Sequence, residues 1–168
     1  APTTGLARYP GQWRATMQVR DTTGHVSVTR RRFTAGSPVA VVPNYLSGTN
    51  GGAVQVQFDV GPAGAGNIYL AIATLAGTSP GFVWMPGFPV PLNPDFVTSA
   101  FATDPNGGFL QNGLGLFDAL GRATATLAIP PLLLQPFAWQ TVHWNFLSMD
   151  LAGQPRCVGD SKAMTITP

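Results

Sequence analysis

Apolar and polar residues alternate one by one along three well-separated segments of the chain. Residues 12–20 (QWRATMQVR), 53–60 (AVQVQFDV) and 122–129 (RATATLAI) carry an apolar side chain at every second position. Alternate side chains of a β-strand point to opposite faces of the sheet, so this period of two is typical of a strand with one buried face. We therefore predict strands at all three places.

Seven further segments predict strands, three of them at residues 25–33, 39–42 and 116–117. Residues 67–75 are apolar almost throughout, which indicates a central strand that is buried on both faces. Residues 139–149 predict a long strand, residues 96–103 a shorter one, and residues 162–167 the closing strand. The proline-rich stretch 76–94 is expected to form an ordered loop or a sheet edge, because proline donates no hydrogen bond to a ladder.

Glycine, proline and aspartate mark the turns between these segments. The chain has 20 Gly and 16 Pro spread along its length, and the sequence Asp-x-x-Gly recurs at 21–24, 118–121 and 150–153. Aspartate caps backbone N–H groups in such turns, and glycine accepts a positive φ at their end. About eight to ten strands at this spacing predict an all-β fold, an antiparallel β-sandwich of the Ig-like or jelly-roll-like type.

The composition argues against a helix-rich fold and against nucleic acid as a partner. Glutamate is absent and Lys162 is the single lysine, so residues that favour exposed helix faces are scarce. The net charge of +2 is too small for a nucleic-acid footprint. We also expect no membrane span, because no apolar run reaches about 18 residues. Charged residues make up only 10% of the chain, which leaves a polar, uncharged surface suited to contact with protein or carbohydrate.

The beginning of the chain carries the pattern of a single hairpin. The stretch from Gln12 to Phe33, QWRATMQVRDTTGHVSVTRRRF, resembles the last two strands of Ig-like repeats in bacterial surface proteins. We therefore predict a hairpin extension or the end of an Ig-like repeat in residues 1–36, and the sandwich domain in residues 37–168. The apolar hairpin residues that are candidates for assembly contacts are Trp13, Met17, Val19, Val26 and Val28.

The remainder of the chain carries a second resemblance. Residues 67–168 include the sequences YLAIATLAGTSPGF, PLNPD and GLFDALGRATATLAIPP and a tryptophan-rich penultimate strand. This stretch is similar to uncharacterised C-terminal β modules of secreted bacterial proteins. The resemblance implies a bacterial module located outside the cell or at its surface, and it transfers no catalytic residue.

One segment matches a sequence motif of hydrolase active sites. The sequence GTSPG at residues 77–81 matches Gly-x-Ser-x-Gly, in which the residue after serine donates its N–H to the oxyanion hole and a helix follows. Pro80 has no N–H, and the next residues have no helical pattern. We therefore interpret the motif as a turn, and a serine hydrolase at Ser79 is the weakest functional alternative.

Residues that bind metals or react as nucleophiles are few and scattered. His25 and His143 are the two histidines, and neither has another ligand at metal-binding spacing. Residues 104–108 (DPNGG) offer oxygen donors of the kind that calcium prefers but lack a downstream bidentate carboxylate. Cys157 is the single cysteine and is interpreted as a buried small residue. We expect no catalytic, cofactor-binding or metal site.

Three aromatic residues of the proline-rich stretch are candidate contacts to a partner or a glycan: Phe82, Trp84 and Phe88. Aromatic rings stack on sugars or fill pockets of a partner protein. The leading hypothesis is a non-enzymatic extracellular structural or self-assembly module, such as a fibre, surface-layer or adhesion subunit, whose partner is itself or another extracellular protein. The alternative is a carbohydrate-binding accessory domain of a secreted hydrolase that recognises a polysaccharide.

Overall fold

The structure, a computed structural model, describes residues 11–20, 26–35 and 38–168, with side chains from residue 38 onward. In this part of the chain the fold is all-β, as predicted, with fourteen strands, one α-helix and two 3-10 turns. The strands are β1 (Gly11–Arg20), β2 (Val26–Ala35), β3 (Val39–Val42), β4 (Tyr45–Ser47), β5 (Gly52–Asp59), β6 (Ile68–Thr74), β7 (Phe82–Met85), β8 (Phe88–Val90), β9 (Leu110–Gln111), β10 (Leu114–Leu116), β11 (Arg122–Ile129), β12 (Thr141–Met149), β13 (Pro155–Val158) and β14 (Lys162–Thr167). The helix α1 spans Phe96–Thr103, and the 3-10 turns span Pro62–Gly64 and Gln135–Phe137.

The described strands form two larger sheets and two hairpins. The first sheet has six strands in the order β10-β6-β12-β14-β4, with β13 also paired to β12. The second has four strands in the order β3-β5-β11-β9. The pairs β1-β2 and β7-β8 form two-stranded sheets. The β14-β4 pair is parallel, and the other described pairs are antiparallel.

The two larger sheets share one hydrophobic core. Val54, Val56 and Phe58 of β5 are buried in the same cluster as Trp144 and Phe146 of β12. The rings of Phe58 and Phe146 lie 5.1 Å apart between centroids. The strand predictions at 53–60 and 122–129 are therefore confirmed, because their apolar positions form the inner face of the four-stranded sheet.

A second apolar cluster covers the other face of the six-stranded sheet. Ile72 of β6 and Leu147 of β12 are buried there in one cluster with Val90, the last residue of β8, and Leu92, which follows it. Strand β6 pairs with β10 on one side and with β12 on the other. Burial on both faces explains the nearly continuous apolar run at residues 67–75 and confirms the prediction of a central strand there.

The prediction of a strand at residues 96–103 is wrong, because this segment forms α1. The Asp95 carboxylate accepts hydrogen bonds from the backbone N–H groups of Val97 and Thr98, and the Thr98 hydroxyl accepts one from the Asp95 N–H. This capping box pairs donors that the first turn of a helix otherwise leaves free. The local cap outweighs the modest strand preference of Phe96 and Val97.

The N-terminal part of the chain contains two paired strands in the described residues 11–20 and 26–35. Strands β1 and β2 form a ladder of ten antiparallel residue pairs, with Trp13 opposite Phe33 and Met17 opposite Thr29. The proline-rich stretch 76–94 contains a short hairpin, β7-β8, whose register shifts between Val83 and Met85. Regular pairing is thus interrupted there, as the prolines predicted.

Candidate functional site

One end of the shared core opens into an apolar cleft of about 190 Å³. Every residue that lines the cleft is apolar. The helix α1 contributes Val97, Ala100 and Phe101, and the sheets contribute residues such as Trp144 and Met164. The sequence pattern does not predict this cleft, because residues 96–103 form a helix and not the expected strand.

The N-terminus of α1 is fixed to the end of β6 by a network around Asp95. One carboxylate oxygen, Oδ2, accepts hydrogen bonds from the N–H groups of Leu75 (2.7 Å) and Ala76 (3.1 Å). The Thr98 hydroxyl donates to the carbonyl oxygen of Ala73 at 2.7 Å. Partial burial alone would raise the pKa of Asp95, but the hydrogen bonds that it accepts from backbone N–H groups and threonine hydroxyls outweigh this and lower the pKa.

The inner wall of the cleft is rigid and aromatic. Trp144 on β12 is 0% exposed, and its indole stacks on Phe101 of α1 with ring centroids 5.5 Å apart and planes inclined by 20°. The indole N–H of Trp144 has no hydrogen-bond partner among residues 38–168. Met164 of β14 is also fully buried at this wall.

The opposite wall is the loop between β11 and β12, which is held at two points. Leu132 donates its backbone N–H to Thr49 O at 3.0 Å, and Trp139 donates its own to Ile166 O at 2.7 Å. Both residues have a left-handed backbone, with φ of 68° and 71°. Bulky side chains rarely adopt this conformation, because the Cβ crowds the backbone. Between these two points the loop contributes Leu133, Leu134 and Phe137 to the cleft.

The mouth of the cleft carries exposed apolar side chains. Phe96 is 63% exposed, and Phe109 and Leu133 are also exposed. The rings of Phe96 and Phe137 lie 6.2 Å apart. Large apolar groups gathered at an opening mark a binding site more often than scattered surface leucines do.

The three aromatic residues predicted to contact a partner lie on the β7-β8 hairpin. Phe82 and Trp84 are half-buried and pack on the second apolar cluster, so much of their surface stabilises the fold. Trp84 and Phe88 meet edge to face with centroids 6.5 Å apart. Of the three, Phe88 lines a shallow depression of about 250 Å³.

A charged side chain lines this depression. Arg156 lines it and donates a hydrogen bond to Asp150. The backbone N–H of Gln154 and the Arg156 guanidinium hold the pKa of Asp150 below its usual range. A ring beside the guanidinium group of Arg156 is chemically suited to a polyhydroxylated ligand.

Residues 77–81, which match the hydrolase motif, form a loop that is held by hydrogen bonds to Asn93. The Asn93 amide donates to the carbonyl oxygens of Ala76 (2.9 Å) and Ser79 (2.6 Å) and accepts from the Gly81 N–H (2.9 Å). The loop leads into strand β7, whereas a nucleophile elbow leads into a helix. The structure therefore gives Ser79 a turn context.

The remaining chemical candidates stay apart from one another. His143 lies on β12, whereas His25 lies outside the described residues. Cys157 is buried in the shared core, which raises the pKa of its thiol to about 12. Within the described residues, no three His, Cys, Asp or Glu side chains gather at a distance suited to one metal ion.

The hairpin candidates occupy two different faces of the β1-β2 ribbon. Positions 13, 17 and 19 lie on one face, since they are two or four residues apart. Val26 pairs with Arg20 and Val28 with Gln18, so these two positions share the other face. The five positions are therefore divided between the two faces of the ribbon.

No protein-family model matches the sequence, and no curated protein does. Nor does any helix of the described residues have the length and apolar character needed to cross a membrane.

One sequence signal could have revealed the cleft. The pattern Asp95-x-x-Thr98 directly after Pro94 is typical of a capped helix N-terminus. A helix at this place would have added Val97 and Phe101 to the residues expected at the core.

Proposed function

We propose that the chain is a non-enzymatic, extracellular β-sandwich module that assembles with copies of itself or with another extracellular protein through its N-terminal hairpin. The observation that supports this proposal best is that β1 and β2 form a two-stranded sheet of their own, ten residue pairs long. A two-stranded ribbon is only marginally stable in water, and it gains most from further pairing.

The length of the hairpin favours strand addition. The strands at the ends of the two larger described sheets are short: β9 has two residues, β4 and β10 have three, and β3 has four. Short edges offer few backbone groups to another chain. A ten-residue strand offers many more, and main-chain hydrogen bonds supply much of the affinity in strand addition.

The low charge of the chain supports the same proposal of assembly. Charged residues make up 10% of the chain, so approach between copies meets little electrostatic repulsion. Large apolar side chains such as Val83 and Leu151 are exposed on the described surface. Such a surface suits close contact between subunits, as in a fibre, a surface layer or an adhesion structure.

Sedimentation velocity over a range of concentrations tests this proposal with the full chain. We expect concentration-dependent association of the unchanged protein and its loss in Val28→Pro, because proline removes a ladder donor from the hairpin. Ala119→Pro is the matched control, since Ala119 is an exposed turn residue at a position where proline is favoured. A protein that stays monomeric throughout, or a Val28→Pro variant that associates normally, refutes the proposal.

A second candidate is carbohydrate binding at the depression beside Phe88, as in an accessory domain of a secreted hydrolase. The specific observation in its favour is that Phe88 and Arg156 line one open depression. Affinity electrophoresis in polysaccharide gels tests it: Phe88→Ala should abolish retardation, whereas Val83→Ala, exposed on the same hairpin, should not. Equal migration of the unchanged protein with and without every polysaccharide tested excludes it.

A further inference from the structure

We propose that the apolar cleft beneath α1 binds a small uncharged hydrocarbon molecule of about the size of one aromatic ring. This inference does not depend on the N-terminal hairpin, because each residue lining the cleft belongs to residues 75–166. Its success or failure is therefore separate from that of the proposed assembly.

The lining of the cleft selects the class of ligand. Helix α1, strands β11, β12 and β14 and the adjoining loops present only apolar residues to it. A sugar, a carboxylate or a phosphate that entered the cleft would lose its hydrogen bonds to water without replacement, which is strongly unfavourable. A hydrocarbon group loses nothing of this kind and gains dispersion contacts with the wall.

The volume of the cleft sets the size of the ligand. Protein interiors are close-packed and contain few voids larger than a water molecule. An apolar cavity of about 150 Å³ stays dry and takes up benzene. The cleft, at about 190 Å³, is somewhat larger, so it fits one ring with a short substituent.

Hydrogen bonds hold both walls of the cleft in place. Asp95 and Thr98 fasten α1 to the end of β6. Leu132 and Trp139 fasten the opposite loop while their backbones occupy the unfavourable left-handed region. Such strained residues persist where the surroundings determine them, and they concentrate at ligand sites. A preformed cleft also lowers the ordering cost of binding.

The mouth gives such a molecule a route into the cleft. Phe96, Phe109 and Leu133 line the cleft and are also exposed to solvent. Aromatic side chains at this position present ring faces and edges to an incoming aromatic molecule. The apolar lining is therefore continuous from the surface to Trp144.

Methionine methyl resonances provide a direct readout of occupancy. The chain has four methionines, and Met164 lines the cleft, whereas Met85 and Met149 do not. In full-length protein labelled with 13C at the methionine methyl groups, titration with toluene should shift the Met164 signal in a saturable manner. The signals of Met85 and Met149 should stay in place. The Met164→Leu variant assigns the signal.

Two alanines of α1 give a matched pair of variants. Ala100 lines the cleft, whereas Ala102 is exposed on the same helix and does not. Ala100→Leu should fill the space and weaken toluene binding at least about tenfold, and Ala102→Leu should leave it unchanged. In Ala100→Leu, whose own Met164 signal is displaced, binding is followed through the change in melting temperature with toluene.

Three results overturn the proposal. The first is a Met164 signal that does not move up to the solubility limit of toluene while the spectrum is that of folded protein. The second is equal affinity of Ala100→Leu and Ala102→Leu for toluene. The third is a Met164 signal that moves with protein concentration and is insensitive to toluene, which shows that a second copy fills the cleft.

Discussion

Two turns share the sequence Asp-x-x-Gly but differ in the atoms that surround the final glycine. The carboxylates of Asp118 and Asp150 each accept two hydrogen bonds, from the backbone N–H groups of the residues two and four positions further on. The glycines that end these turns, Gly121 and Gly153, have φ of 74° and 76°. A Cβ on Gly121 would lie 1.8 Å from Gly61 O, whereas a Cβ on Gly153 would meet no atom within 4 Å. The first turn therefore requires glycine for two reasons and the second for one.

We predict that Gly121→Ala destabilises the protein considerably more than Gly153→Ala. At Gly153 only the left-handed backbone opposes alanine, at a cost of about 1 kcal/mol. At Gly121 the methyl group would also displace the Gly61 backbone, which adds about 1–3 kcal/mol. Urea denaturation of both variants measures the difference, and equal midpoints would contradict the steric argument.

The helix α1 is the element whose identity depends most on a single side chain. Asp95 caps the helix and binds the N–H groups of Leu75 and Ala76 with its second oxygen. Its lowered pKa means that the folded state binds fewer protons than the unfolded state does as the pH falls below about 4. The ionised carboxylate therefore stabilises the fold at neutral pH, and this contribution is lost on acidification.

We predict that Asp95→Asn lowers stability at pH 7 more than at pH 3. Asparagine also caps helices, so the cap itself is largely retained while the titrating charge is removed. Asp95→Ala removes the cap as well and should lower the free energy of unfolding by about 1 kcal/mol more at pH 7. Urea denaturation at both pH values measures the effect. A pH-independent difference between the unchanged protein and Asp95→Asn contradicts it.

Strands and the helix differed in how far the sequence determined them. The strands predicted at 122–129 and 162–167 match β11 and β14, because alternation and flanking turns are properties of local sequence. The segment 96–103 was missed because its apolar residues fit either period, and only the hydrogen bonds around Asp95 decide between them. Strand β9, two residues long, carries no periodic signal at all.

The whole molecule brings together residues that no local pattern connects. The cleft joins α1, the loop before β12 and the inner faces of both larger sheets, so it exists only after the shared core has formed. The aromatic residues Phe82, Trp84 and Phe88 could be identified from the sequence, but the partial burial of Phe82 and Trp84 follows from packing on the cluster that contains Ile72 and Leu147. The sequence therefore indicates candidate residues more readily than surfaces, because a surface joins residues that are distant along the chain.

We predict that Cys157 reports the opening of this shared core as a whole. Its thiol is buried, and burial raises its pKa to about 12, so the reactive thiolate is scarce at pH 8. The folded protein should react with a disulfide reagent such as DTNB many times more slowly than the protein unfolded in urea. The absorbance of the released thiolate measures this, and equal rates in the two states would show that the core does not protect the thiol.

The parallel pairing of β4 with β14 has a mechanical consequence. Thr165 lies opposite Tyr45 and Thr167 opposite Ser47, and the backbone bonds Thr165 N–H to Asn44 O and Gly48 N–H to Thr167 O join the same two stretches. Tension that reached β4 from the amino-terminal side and β14 from the carboxyl-terminal side would pull these neighbours in opposite directions along their length. Their hydrogen bonds would then bear the load side by side and have to break together. If the chain were stretched between two attachment points, the pairing of β4 with β14 would resist its extension.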